Sequence, residues 1–169
     1  MAEALAAGGV QAPVKGDMRH EIWWKLLGNI CFNPVSVLTS GSVAGMAADA
    51  ALRRAVLEPL ILEATAVAQA LGVDTSKFPT PHERIEAVKV NHHPTSMLQD
   101  YRSARPLEID SILGQVHAFA VALDVPTPTL EVVMALVTSA DRFNTKQPSA
   151  ESGGAEPPAK KLRTEENGH

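Results

Sequence analysis

Apolar residues recur at the three-and-four spacing of a helix along most of the chain, and nowhere do they alternate with polar ones over a strand's length. Asp17 is placed to cap a helix carrying Ile22, Leu26 and Ile30, with Trp23 and Leu27 on an adjacent stripe. Asn33-Pro34 predicts a break there, because proline brings no backbone donor to a helix interior, and Val35 to Leu38 resumes beyond it. From Ala47 to Leu71 the positions Leu52, Val56, Leu60, Val67 and Leu71 share one stripe and Gly72 is set to end it. That segment reads as the longest helix, kinked at Pro59. Two short helices are predicted, His82 to Val90 and Ser96 to Ser103, separated by Pro94. Glu108 opens another, with Ile109, Ile112, Val116, Phe119 and Leu123 in phase until Val125-Pro126. Thr127-Pro128 then supplies an N-cap and first-turn proline for a last helix reaching about Phe143.

The expected fold class is therefore all-α, a helical bundle around one core spanning residues 17–143. Residues 1–16 hold Gly8, Gly9, Pro13 and Gly16 without helical periodicity and read as a connector. From residue 144 to 169 the chain turns to Pro, Ser, Gly, Glu and Lys, too poor in large apolar side chains to offset ordering entropy, so a disordered tail is expected.

Composition narrows the function. A chain of 169 residues with 45% hydrophobic side chains fits one well-filled core. The formal charge of −4 comes from interspersed acids and bases, so no cationic face is available for a nucleic-acid partner. Cys31 is the only cysteine, which excludes an intrachain disulfide and fits a reducing compartment. No basic start precedes an apolar run and no apolar run is long enough to span a bilayer, so a cytoplasmic protein without membrane contact is expected.

Lys25, Asn29 and Asn33 are four apart, so successive side chains are offset by about 40° and line one edge of a helix. Spacing alone leaves two readings, a convergent ligand-binding edge or an exposed polar stripe beside the core face. The apolar company of Ile22, Trp23, Trp24, Ile30, Cys31 and Phe32 predicts that the edge borders a crevice, where a lysine's pKa can fall. Ser96 by itself is an ordinary N-cap, and Glu108 by itself a first-turn carboxylate favoured by the helix dipole. Trp23 and Trp24 read as core anchors and Cys31 as a buried, inert thiol. His82 and His92-His93 lack a site-forming spacing, so no metal is expected. Lys160-Lys161-Leu162-Arg163 is a minimal basic patch.

Trp23-Trp24-Lys25-Leu26-Leu27-Gly28-Asn29-Ile30-Cys31-Phe32-Asn33-Pro34 resembles the run that opens the C-terminal domain of ketopantoate reductases. Ser96-Met97-Leu98-Gln99-Asp100, Arg105-Pro106-Leu107-Glu108-Ile109-Asp110 and Val125-Pro126-Thr127-Pro128 are similar to later blocks of that family, in the same order. The resemblance implies a helical domain like the C-terminal domains of ketopantoate reductase and 6-phosphogluconate dehydrogenase. It implies reduction of the 2-dehydropantoate ketone by NADPH, giving pantoate on the route to pantothenate and coenzyme A. Lys25 would then be the proton donor, Asn29 and Asn33 substrate-binding amides, Ser96 a contact to the substrate's carboxylate or hydroxyl end, and Glu108 an acceptor from a substrate hydroxyl.

The chain departs from the family in carrying no Gly-x-Gly-x-x-Gly run: Gly41-Ser42-Val43-Ala44-Gly45 has the wrong spacing and follows a helix. It is therefore expected to begin at the domain junction, to lack the Rossmann domain that binds NADP, and to be inactive alone, so whether it is itself an enzyme stays open. The expected partners are a small 2-keto acid and a separate Rossmann domain or a second copy. Two alternatives remain: a non-catalytic helical interaction or dimerisation module, and the substrate domain of a related 2-keto or 3-hydroxy acid dehydrogenase. Asp124 stands where the family has glycine, and aspartate tolerates the left-handed conformation required there.

Overall fold

The helix that Asp17 starts does not stop at Pro34. Asp17 caps α2 (Met18–Thr39) by accepting from the N–H groups of Arg19 at 2.9 Å and His20 at 3.1 Å. Pro34 lies inside the helix, and the break predicted at Asn33-Pro34 is absent. The reason is burial: Ile30, Cys31, Phe32, Val35 and Val37 are all buried around the proline. At about 1.5–3 kcal/mol for a large buried apolar side chain, together they outweigh the roughly 3 kcal/mol cost of an interior proline.

The computed structural model describes residues 2–9 and 14–146. The expected disordered tail lies outside them from residue 147 onward, as does the Lys160-Lys161-Leu162-Arg163 patch. At the other end a six-residue helix, α1 (Ala2–Ala7), forms where the lack of periodicity predicts a connector. Its alanines have the highest helix propensity of any residue.

After α3 (Val43–Ala48), one helical path runs from residue 50 to 70 in three parts: α4 (Ala50–Leu52), a π-helical stretch (Arg53–Leu57) and α5 (Glu58–Ala70). Asp49 caps its start with bonds of 2.9 Å from the N–H groups of Ala51 and Leu52, so the path begins later than the predicted Ala47. It is widened just ahead of Pro59, a residue that cannot donate to the preceding turn. The longest helix is α2, with 22 residues. Gly72, at φ +76°, ends α5 as its position predicts.

Next come α6 (Pro81–Ala87), closed by a reciprocal capping box between Thr80 and Glu83, and α7 (Ser96–Arg102). The N-cap of α7 is Thr95, one residue before the Ser96 that sequence favours. A second π-helical stretch (Asp110–Gly114) leads into α8 (Gln115–Ala122), and α9 (Pro128–Lys146) finishes the bundle. Asp124 takes the left-handed position between α8 and α9 at φ +53°.

The described residues contain no strand, and the fold is all-α. α2 is central and packs against α5, α7 and α9 over a core that includes Leu27, Ile30, Leu57, Leu60, Ile61, Leu113 and Leu130. Glu63 of α5 reaches the start of α9, its two carboxylate oxygens accepting from the N–H groups of Thr129 at 2.9 Å and Leu130 at 2.8 Å. A side chain from another helix thus supplies the cap that sequence assigns to Thr127. Ile22, on the predicted apolar stripe, is 58% exposed. It lies about 100° round α2 from buried Trp23 and so falls on the polar side. Phe119 and Leu123 are likewise exposed, the packed face of α8 being narrower than its apolar stripe. Among the described residues, no helix is long and apolar enough to cross a membrane.

Candidate functional site

Lys25, Asn29 and Asn33 ride on the straight middle of α2, their Cα positions spanning about 12 Å along the axis. Burial deepens along the edge: Lys25 is exposed, Asn29 half-buried and Asn33 only 7% exposed. Lys25 is therefore at the surface of the described domain. Among the described residues none of these side chains makes a hydrogen bond or ion pair.

Ser36, about a turn beyond Asn33, continues the same face. Its hydroxyl donates to the Asn33 carbonyl at 2.7 Å and meets the Thr95 hydroxyl at 2.5 Å, both groups buried. Thr95 also accepts from the Leu98 N–H at 3.2 Å as the cap of α7. This contact seats the start of α7 against α2 about a turn beyond Asn33, and Ser96 is the next residue of α7. Ser96 is exposed and its side chain has no partner among the described residues.

Glu108 sits just before the second π-helical stretch, which packs against α2 and α9. Its carbonyl accepts from the Ile112 N–H at 3.1 Å and from the Ser111 hydroxyl at 3.2 Å. The carboxylate is exposed, and among the described residues no hydrogen bond or ion pair joins it to the α2 edge. Local geometry thus puts Thr95, the neighbour of Ser96, against Ser36 beyond Asn33, and leaves Glu108 ahead of a neighbouring helical element whose first-turn acid is Asp110.

Two residues that position this face escape sequence reasoning. Ser36 repeats the spacing of the edge, and Thr95 follows Pro94 in a cap-like setting, but only folding brings them together across 59 positions. Trp24 also differs from its reading as a core anchor: it is 40% exposed, whereas Trp23 is buried as predicted. The Arg84 guanidinium lies 5.0 Å over the Trp24 ring and donates to the Trp24 carbonyl. Gly28 makes room for it, since a Cβ there would come 3.1 Å from Arg84 Nη2. Cys31 is fully buried, its thiol directed at the Leu57 carbonyl at 3.6 Å, and burial pushes its pKa far above the ordinary thiol value. It is an inert packing residue, as its neighbours predict.

Among the described residues there is no strand, and of the Gly41 to Gly45 stretch Gly41 precedes α3 while Gly45 lies inside it, following a helix and not a strand. Nor do the described residues contain a cluster of three or more His, Cys, Asp or Glu side chains suited to a metal ion.

Comparison with known proteins places these features. The family model described as the ketopantoate reductase PanE/ApbA C terminal matches residues 17–141. A 2-dehydropantoate 2-reductase from Mesorhizobium japonicum is 44% identical over 139 residues, covering 81% of this chain and 41% of that protein. The crystal structure of a PanE/ApbA family ketopantoate reductase from Ralstonia eutropha JMP134 has a TM-score of 0.76 at 27% identity, over 85% of this chain and 48% of that one. A dimeric ketopantoate reductase from Staphylococcus aureus has a TM-score of 0.69 at 25% identity, over 80% and 47%. The chain thus spans less than half the length of these relatives.

Proposed function

Because the chain belongs to the ketopantoate reductase family through its C-terminal domain, we propose that it binds the keto acid and donates the proton in the reduction of 2-dehydropantoate to pantoate. The observation that carries this reading is the unengaged polar edge of α2. Lys25, Asn29 and Asn33 present one cation and two amides with no partner among the described residues, and Ser36, a turn further along α2, meets Thr95 beside Ser96.

The chemistry follows from charge. Reduction of a ketone leaves negative charge on its oxygen, and a positioned ammonium stabilises that oxygen and delivers a proton to it. Lys25 is the one cation on the edge and takes this role. Asn29 and Asn33 each offer donors and an acceptor, enough to fix the keto acid's oxygens at a set distance from the ammonium. Ser96 contacts the carboxylate or hydroxyl end of the substrate. Glu108, acceptor-only when ionised, takes a hydrogen bond from a substrate hydroxyl once the substrate bridges the gap between it and α2.

In this reading residues 17–143 form the substrate domain, and NADP is held by a Rossmann domain that these residues do not build. No part of the reductant's chemistry is assigned to this chain. The test is to assay NADPH oxidation with 2-dehydropantoate for the 169-residue chain alone and for the same chain joined to the nucleotide-binding part of the Mesorhizobium relative. No turnover in the first and turnover in the second is expected. Turnover by the chain alone refutes the division of labour, and a folded, NADPH-binding fusion with no turnover refutes the assigned substrate.

A further inference from the structure

A second line of residues on α2, Trp24, Gly28 and Phe32, lies about 100° round the helix from Lys25, Asn29 and Asn33. With Pro79, Ala87 and Val88 it walls a cleft of about 310 Å³. Trp24, Phe32, Pro79, Ala87 and Val88 make most of these walls apolar, and two charged side chains of α6, Arg84 and Glu83, stand among them. We propose that this cleft is a binding site for a small carboxylate with a branched or aromatic body, separate from the Lys25 edge.

The case begins with what Arg84 lacks. Its guanidinium carries five N–H donors and donates to the Trp24 carbonyl, yet among the described residues no carboxylate pairs with it. The acids beside it on α6 are already engaged. Glu83 accepts from the Thr80 N–H and hydroxyl, both at 2.8 Å, and Glu86 is bridged at 2.8 Å by both Arg53 and Lys89. Arg84 is half-buried, and burial holds its pKa below the ordinary arginine value, so its charge is incompletely solvated. An anion entering the cleft would relieve that cost.

The shape sets the rest of the ligand. The guanidinium lies over the Trp24 ring at 5.0 Å and against Gly28, and a guanidinium can hold a planar carboxylate by two parallel hydrogen bonds. The apolar walls receive a hydrocarbon body, which a bare phosphate or sulfate lacks. The volume suits a single ring or a short branched chain.

The two tryptophans provide the readout, because Trp24 lines the cleft while Trp23 is buried in the core. The indole N–H resonances of the full chain are followed by nitrogen-edited NMR during titration with benzoate and, separately, with benzamide, its neutral isostere. Benzoate is expected to move the Trp24 signal saturably and leave Trp23 nearly still, with benzamide about tenfold weaker or worse. Arg84→Gln should weaken benzoate by a similar factor. Ala87→Phe fills the cleft without touching the cation and should do the same, which keeps the test decisive where Arg84→Gln fails to fold. Lys25→Ala should leave benzoate binding unchanged. Absence of a saturable Trp24 shift, equal binding of benzamide, full affinity in Ala87→Phe or in folded Arg84→Gln, or loss of binding in Lys25→Ala would each overturn the proposal.

Discussion

Glu63 and the Lys25–Asn33 edge are both polar features of helices that pack on the core, and they differ in whether the fold uses them. Both oxygens of Glu63 are engaged by backbone N–H groups of α9, tying α5 to α9. No side chain of the edge is engaged by anything within the described residues. A polar group whose hydrogen bonds are made inside the fold contributes to stability, and one whose capacity is left open contributes when a ligand arrives. Burial alone does not separate the two, since Asn33 is the more buried of the two asparagines and its side chain has no partner among the described residues.

The sharpest way to break the comparison is at Lys25. In a two-domain protein, Lys25→Ala is expected to lower kcat by about 10²–10⁴-fold, with a far smaller change in substrate affinity and an unchanged melting temperature; steady-state kinetics beside thermal unfolding decides it. A kcat equal to the parent's refutes the proton-donor role. Glu63→Ala should do the reverse. Leaving the Thr129 and Leu130 donors without their acceptor is expected to cost about 1–3 kcal/mol of stability, measured by urea unfolding, with substrate binding intact. Asn33→Ala tests the same distinction at a buried position. It should leave the unfolding midpoint near that of the parent, because no internal bond is lost, while weakening substrate binding by about 1 kcal/mol. A large drop in stability would move Asn33 to the side of Glu63.

The smallest expected effect concerns pH. The Thr80 hydroxyl, and then its backbone N–H, hold the Glu83 carboxyl below the ordinary glutamate value of 4.5. A depressed folded-state pKa contributes stability that is complete above the unfolded value and is lost as pH falls through the folded one. The stability difference between the parent and Glu83→Gln should therefore shrink as pH drops below the ordinary glutamate value of 4.5. A difference that stays constant down to pH 2 shows that the carboxylate's charge plays no part in the capping box.

What could be read from sequence was mostly local. The Asp17 cap, the Gly72 stop, the left-handed Asp124 and the burial of Cys31 each depend on residues within a turn or two, and each is found in the fold. The failures share the opposite property. Pro34 stays helical because distant elements cover α2, Trp24 leaves the core because Arg84 arrives from 60 positions away, and the α9 cap comes from Glu63 at a similar remove. The candidate edge itself was legible from four-residue spacing and from family wording. Its setting was not, since the Ser36–Thr95 contact that seats α7 exists only between helices.

The π-helical stretches at Arg53–Leu57 and Asp110–Gly114 bear on how the family's sequences vary in length. A π-helical turn amounts to one residue inserted into an α-helix without loss of phase on either side. Shortening the first stretch by one position would return it to α geometry while Leu60, Ile61 and Ala64 keep their inward bearing. Single-residue gaps in alignments of this domain should therefore fall within helices at these two points as well as in loops, and a gap there marks a change of winding and not the end of an element.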